Sequence, residues 1–280
     1  MMMNPLVLQS DFGLEDGAVS AMKGVAHSVS KIVNIFDNTH DIPPFDIWSG
    51  SYRLLQTVSY WPENTVFVSV VDPGVGSERK SVVVKTKNNQ YIVTPDNGTL
   101  THIYNKIGIK QIREIDEEVN RLPKSGASHT FHGRDIYAYT GARIAAGVIS
   151  FDNVGPELEI EDIVRLPFYE PKLEEQMISG TIDILDVRFG NLWTNISREL
   201  FLQLNIDYGE AVEIEILHDT RRVYRNKMTF GRSFAAIQIG EPVLYVNSLD
   251  NMAVAINQGS FAKAHNIGTG SSWHVYIKKV

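Results

Sequence analysis

A run of strand-forming residues, Thr65-Val66-Phe67-Val68-Ser69-Val70-Val71, ends in an acid, Asp72, and an arginine, Arg79, stands seven residues further on. Pro73-Gly74-Val75-Gly76 lies between them. Asp72 fits a turn residue before Pro73. Equally, the two glycines let backbone approach a ligand closely, and Arg79 can fold back to pair with the carboxylate. A third group stands in Thr130-Phe131-His132-Gly133-Arg134-Asp135, just before a helical stretch. There Gly133 ends a loop and Asp135 favours the positive end of a helix. His132, next to that helix start and a glycine, suits an acid, a base or a group that orients water.

Other acids stand where strands end. Asp11-Phe12-Gly13 follows Leu6–Ser10, with Asp16 further on; Asp37, Asn38, His40 and Asp41 follow Ile32–Phe36; Asp96 follows Tyr91–Thr94. Each fits a turn or a helix cap, and Asp11 also fits an acceptor for a ribose diol after the first strand of a nucleotide-binding sheet. In the second half, Asp186-Val187-Arg188-Phe189-Gly190-Asn191-Leu192-Trp193 interrupts an alternating pattern. It reads as a hairpin turned at Gly190-Asn191, or as a pocket with Phe189 or Trp193 as apolar wall and Asn191 as polar reader. Thr229-Phe230-Gly231 and Val246-Asn247-Ser248 are of the same kind. No glycine-rich dinucleotide motif, P-loop or nucleophile elbow is present. His40, His129, His132, Asp11 and Asp41 raise a metallohydrolase, but no ligand spacing supports one and no metal is expected.

The elements that must position these groups divide the chain in two. Strands at 6–10, 32–36, 65–71, 81–85 and 91–94 alternate with helices at 17–29, 46–61 and 134–149, which predicts an α/β sheet with helices on both faces over residues 1–166. The segment 167–176, rich in proline and charge, reads as a linker. Residues 177–280 alternate apolar and polar positions between Gly, Asn and Asp turns, as in a small antiparallel barrel or sandwich. The 280 residues are 43% hydrophobic and 21% charged with a net charge of -7, which gives no footprint for nucleic acid. No apolar run nears the roughly 18 residues of a membrane span. The absence of cysteine excludes disulfides and thiolate chemistry and fits a cytoplasmic protein; no signal peptide is read at the N-terminus.

Seven segments, DFG (11–13), IPPFD (42–46), VVDPGVGSER (70–79), TPDNG (94–98), FHGRD (131–135), FGNLWTN (189–195) and VNS (246–248), together resemble the S-adenosyl-L-methionine (SAM) hydroxide adenosyltransferase family. These SAM hydrolases are related to the SAM-dependent fluorinase and chlorinase. The resemblance implies an N-terminal α/β domain with a smaller C-terminal β-barrel, and a homotrimer with active sites between the N-domain of one subunit and the C-domain of the next. It implies attack of water on the ribose C5′ of SAM, a substrate rather than a cofactor, giving adenosine and L-methionine. Asp72, Arg79 and His132 take the water-activating positions, and Gly133 brings backbone close to them. Asp11 takes the ribose hydroxyls, and Phe45 stands where the halogenases carry Trp. Asp186 and Ser248 take the methionine ammonium and carboxylate; Asn191, Phe230 and the loop around Asn257 take the adenine side. Leu249-Asp250 replaces basic residues after Ser248, leaving the carboxylate to backbone groups. A halogenase is disfavoured because the Asp72 carboxylate repels halide. A non-catalytic adenosine or SAM binder would not need the water-activating set.

Overall fold

A computed structural model describes residues 3–280, and the chain divides into two compact units at Leu166/Pro167. In the first unit β1 (Leu6–Ser10), β2 (Ile35–Thr39), β3 (Val66–Val70), β4 (Ser81–Thr86), β5 (Tyr91–Pro95), β6 (Ile109–Glu114) and β7 (Glu157–Leu158) form one sheet in the order β2-β1-β3-β5-β4-β6-β7. Strands β2, β1, β3 and β5 run parallel; β4, β6 and β7 are antiparallel to their neighbours.

Every residue of β1 and β3 is buried, which explains their apolar composition: both faces of the sheet are covered. Leu6 and Leu8 pack on one side, with α1 (Ala18–Val29) and α4 (Tyr139–Ala145); Val7 packs on the other, with α2 (Ile47–Val58) and α3 (Thr101–Lys106). Helix α1 buries Val19, Met22, Val25 and Ala26, one stripe at helical spacing. Helix α2 starts where Asp46 caps it, its carboxylate accepting from Ser49 N at 2.9 Å.

Two expectations shift. The second strand begins at Ile35 rather than Ile32, because its pairing with β1 starts at Leu6–Ile35. Ile32 is exposed ahead of it, and Asp37 lies inside the strand rather than beyond it. The helix expected over 134–149 is a π-helical turn, Gly133–Ala138, followed by α4, which stops at Ala145 before Gly147 with φ 68°.

The second unit holds β8 (Lys172–Glu174), β9 (Met177–Leu185), β10 (Leu192–Ser197), α5 (Arg198–Leu202), β11 (Ala211–His218), β12 (Arg221–Phe230), β13 (Pro242–Val246), β14 (Asn251–Ile256), α6 (Phe261–His265) and β15 (Gly270–Lys279). Strands β10-β14-β13-β12-β11-β15-β9 close into a barrel through the β9–β10 pairing, and β8, from the expected linker, adds to β9. The pairing is antiparallel except between β12 and β13, which run parallel over Thr229–Val243 and Phe230–Leu244. Alternate residues such as Val212, Ile214 and Ile216 fill the interior.

Candidate active site

Strand β3 delivers Val71, still buried, and then Asp72. Two consecutive turns reverse the chain: Val75 N donates to Asp72 O at 3.2 Å and Ser77 N to Gly74 O at 3.0 Å. Gly76 has φ 79°, and a Cβ there would lie 3.0 Å from His129 O, so glycine is what this turn admits. The reversal returns Arg79 to Asp72 in a bidentate pair, Nε to Oδ1 at 2.9 Å and Nη2 to Oδ2 at 2.5 Å. The two side chains are only 10% and 5% exposed, in the surroundings where such a pair is least screened.

Further groups, none of which spacing had marked, hold the guanidinium in place. Arg79 Nη1 donates to Ser81 Oγ at 3.0 Å, and that hydroxyl meets Glu117 Oε1 and the Tyr137 hydroxyl, each at 3.1 Å. The guanidinium also lies over the Tyr137 ring, 5.6 Å from its centroid. Burial pushes the Tyr137 hydroxyl well above its ordinary pKa, so it stays protonated. Burial would lower the Arg79 pKa, but the hydrogen bonds it donates to Asp72 and nearby negative charge raise it on balance.

His132 stands at the head of the π-helical turn, a local distortion that often marks functional sites. Arg79 Nη2 lies 3.0 Å from His132 Nδ1. A guanidinium only donates, so Nδ1 accepts and the ring carries its proton on Nε2. Burial, and then the Arg79 charge, lower the His132 pKa and keep the ring neutral. Nε2 is buried with no hydrogen-bond partner among the described residues. The arrangement is therefore a paired carboxylate, a fixed cation and an N–H donor awaiting an acceptor. A Cβ at Gly133 would lie 3.0 Å from two ring carbons of Phe12, so the Asp11-Phe12-Gly13 loop packs directly on this segment.

In that loop Asp11 Oδ2 accepts from Phe45 N at 2.9 Å. Phe45 is 72% exposed and has φ 68°. Asp96, another strand-end acid, is buried and accepts from Val164 N at 3.1 Å; burial raises its pKa.

In the second unit, the turn after β9 opens on a cavity of about 670 Å³ lined by Asp186, Phe189, Asn191 and Asn257, with Tyr245 and Phe234, which sequence reasoning had not marked. Asp186 N donates to Asn191 O at 2.9 Å and Gly190 N to Asp186 O at 2.7 Å, closing the turn. Gly190 has φ 68°, and a Cβ there would meet Ser260 Oγ at 2.0 Å. The Asn257 amide donates to Phe234 O and Ile237 O, both at 3.1 Å, so it shapes the cavity wall. Burial, with the Asp186 charge in the same direction, raises the Tyr245 pKa.

Two expected residues do not line this cavity. Phe230 is 2% exposed, packed in the barrel interior on Tyr208 and Phe201 with ring centroids at 4.4 and 4.7 Å. Phe234, four residues later and beyond the end of β12, lines the cavity with Phe189 and Tyr245. Ser248 is exposed in the turn between β13 and β14, where Asp250 pairs with Arg198 at 2.6 Å.

Among the described residues no group of three or more His, Asp or Glu side chains is arranged to hold a metal ion, and no helix is long and apolar enough to cross a membrane.

Residues 6–155 match the SAM hydroxide adenosyltransferase N-terminal domain, and residues 180–274 match its C-terminal domain. A relative named (R)-S-adenosyl-L-methionine hydrolase, from Methanocaldococcus jannaschii, is 39% identical over 217 residues, 76% of this chain and 73% of its own. A protein named fluorinase, from an Actinoplanes species, is 30% identical and covers 95% of this chain and 96% of its own. The crystal structure of an uncharacterized conserved protein from Thermotoga maritima superposes with a TM-score of 0.88 at 33% identity, covering 98% of this chain and all of that one.

Proposed function

This chain belongs to the SAM hydroxide adenosyltransferase family and is an enzyme of SAM hydrolysis, and we propose that Asp72, Arg79 and His132 activate the water that it consumes. The water oxygen attacks the ribose C5′ of SAM. The C5′–S bond breaks, and its electron pair returns to the sulfonium sulfur, so methionine leaves as a neutral thioether without help from an acid. The sulfonium supplies the leaving group and water the nucleophile, so the reaction calls for no cofactor. The remaining difficulty is the nucleophile, since neutral water is weak. Asp72 takes a proton from it. His132, neutral and protonated on Nε2, donates to its oxygen and aims a lone pair at C5′. Arg79 holds both groups and adds positive charge where hydroxide character develops.

The observation that carries this reading is the bridging of Asp72 and His132 by the single guanidinium of Arg79, at 2.5 and 3.0 Å from one nitrogen. On the substrate side Asp11 takes the ribose diol and Phe45 offers an aromatic wall. Asp186, Phe189 and Asn191 take the ammonium and adenine, with Asn257 holding the adenine-side wall. Products are adenosine and L-methionine. The working form is a cytoplasmic homotrimer in which the N-terminal domain of one subunit meets the C-terminal domain of the next, as the resemblance implies.

The similarity to fluorinases makes halide the competing nucleophile. The Asp72 carboxylate opposes a second anion beside it. Incubation with SAM in 18-oxygen water, with and without added chloride or fluoride, tests both readings. Adenosine labelled at its 5′ oxygen, at a rate indifferent to halide, supports hydrolysis. Unlabelled adenosine or a 5′-halogenated nucleoside overturns it.

A further inference from the structure

The loop that carries Asp11 is fastened on both sides to one residue that the reaction does not use. His40 is 4% exposed and Ser10, at the end of β1, is fully buried. Ser10 Oγ lies 2.6 Å from His40 Nδ1, and His40 Nε2 lies 3.2 Å from Asp37 Oδ1. Asp37 Oδ2 pairs with Lys23 Nζ at 2.6 Å, and this outer end of the chain faces solvent. An ionised carboxylate only accepts, so His40 carries its proton on Nε2. Nδ1 then accepts from the Ser10 hydroxyl, and the free lone pair of Ser10 Oγ takes the Phe12 N–H at 3.3 Å. The carbonyl of the same His40 accepts from Gly13 N at 2.8 Å. Residues 10, 12 and 13 are thus all bonded, directly or through one hydroxyl, to residue 40, and Asp11 is the residue between them. Its Oδ2 accepts from Phe45 N, and the carboxylate keeps lone pairs, those of Oδ1 among them, for a ligand.

The order Ser, His, Asp is that of a hydrolytic triad. With Ser10 sealed under the loop, no substrate carbonyl reaches its oxygen, so a nucleophilic role does not fit. We infer instead that Ser10, His40 and Asp37 form a positioning relay that sets the Asp11 carboxylate for the cis-diol of a ribose. The inference rests on the reading of Asp11 as the ribose acceptor. His40 is a positioning residue: it touches neither substrate nor the reacting atoms and acts through the backbone on either side of Asp11.

Calorimetric titration of the intact protein with adenosine and with 2′,3′-dideoxyadenosine tests the relay, because only the first has a diol to lose. Wild type is expected to prefer adenosine by about tenfold or more, the scale of one or two hydrogen bonds to a charged group. His40→Ala is expected to bind adenosine about tenfold more weakly while its affinity for the dideoxy compound stays within about twofold, so that the preference collapses. Ser10→Ala removes only the hydroxyl, gives the same pattern, and stands in if His40→Ala does not fold. A double variant no worse than His40→Ala would place both residues in one pathway. Retention of the full preference in both single variants, or equal weakening of both ligands, overturns the relay. A wild-type protein without any preference would instead remove the Asp11 reading, a failure distinguishable from that of the relay.

Discussion

One nitrogen of Arg79, Nη2, lies 2.5 Å from Asp72 Oδ2 and 3.0 Å from His132 Nδ1. The guanidinium separates the carboxylate from the imidazole, so neither can take a proton directly from the other. It also fixes which imidazole nitrogen faces away from it, and with which proton. In the proposed mechanism Asp72 is the base and His132 a donor, and the two roles come apart under substitution.

For Asp72, the informative change is Asp72→Asn. The amide oxygen still accepts one of the two bonds from Arg79, while its NH2 turns the other into a donor facing a donor, and the group no longer takes a proton. Turnover is expected to fall by about 10²–10⁴-fold, the usual range for loss of a general base, with KM for SAM changed only a few-fold. Steady-state kinetics on refolding-competent protein reads this directly. A variant with full kcat would remove Asp72 from the reaction. Asp72→Ala is a poorer probe, because a nearly buried Arg79 left alone costs about 3–5 kcal/mol in stability.

For His132, the prediction is one of pH. Burial and the Arg79 charge hold its pKa below the ordinary 6.5, so the neutral ring persists as pH falls through that value. On further acidification Nδ1 gains a proton that points at a guanidinium, and the contact breaks. The acid limb of kcat is therefore expected below pH 6.5, not centred on it. His132→Gln, which can present an amide N–H without titrating, is expected to retain a fraction of the activity and to shift or lose that limb. An unchanged limb in His132→Gln would assign the titration to another group.

Much of this was legible in the sequence, for physical reasons that differ by element. The run 65–71 reads as a strand because burial on both faces leaves only apolar and small residues there, and the acid at its end is then placed by the fold. Asp72 and Arg79 are seven apart, a distance two tight turns close. Glu117 and Tyr137 were not legible, since they come from two distant segments that only the fold brings to this site, and nothing marks Ser81, two residues from Arg79, as its partner. The placement of Phe230 was not legible, because an aromatic near a glycine at a strand end has the same sequence texture whether it faces the barrel interior or a cavity. Its alternation along β12 carries it inward, and Phe234, past the strand, is free of that constraint. Helix α3 and strand β6 were missed as well: α3 has fewer than two turns, and β6 spaces its buried Ile109 and Ile112 three apart rather than two.

The cavity in the second unit yields a steric prediction. Gly190 combines φ 68° with a Cβ position 2.0 Å from Ser260 Oγ. Gly190→Ala must move either the turn bearing Asp186 and Asn191 or the start of α6. Adenosine affinity is expected to fall about tenfold or more, against a backbone cost of about 1–3 kcal/mol. Gly209→Ala is the matched control, since it has φ 93° but nothing within 4 Å of its Cβ and does not line the cavity. Equal binding losses in the two variants would mean that the Gly190 turn has no special part in holding the ligand.

Acid stability has a separate source, in α3. His102 is fully buried, and desolvation, with Lys106 nearby, pushes its pKa down to about 3 from 6.5. Unfolding frees it to bind a proton, so the unfolded state holds more protons than the folded one between those two values. The stabilising contribution is complete above pH 6.5 and is lost progressively as pH falls towards 3. The slope is about 1.4 kcal/mol per pH unit for one such group, or about 2 kcal/mol between pH 6.5 and 5. His40, His132 and His265 are lowered in the same direction and add to the loss, whereas Asp96, raised by burial, opposes it only near the carboxylate range. Denaturant midpoints at the two pH values, for wild type and His102→Gln, isolate the term: the variant is expected to be less stable at neutral pH but to lose about 2 kcal/mol less on acidification. Parallel losses in the two proteins would show that the proton taken up on acid unfolding is not bound by His102.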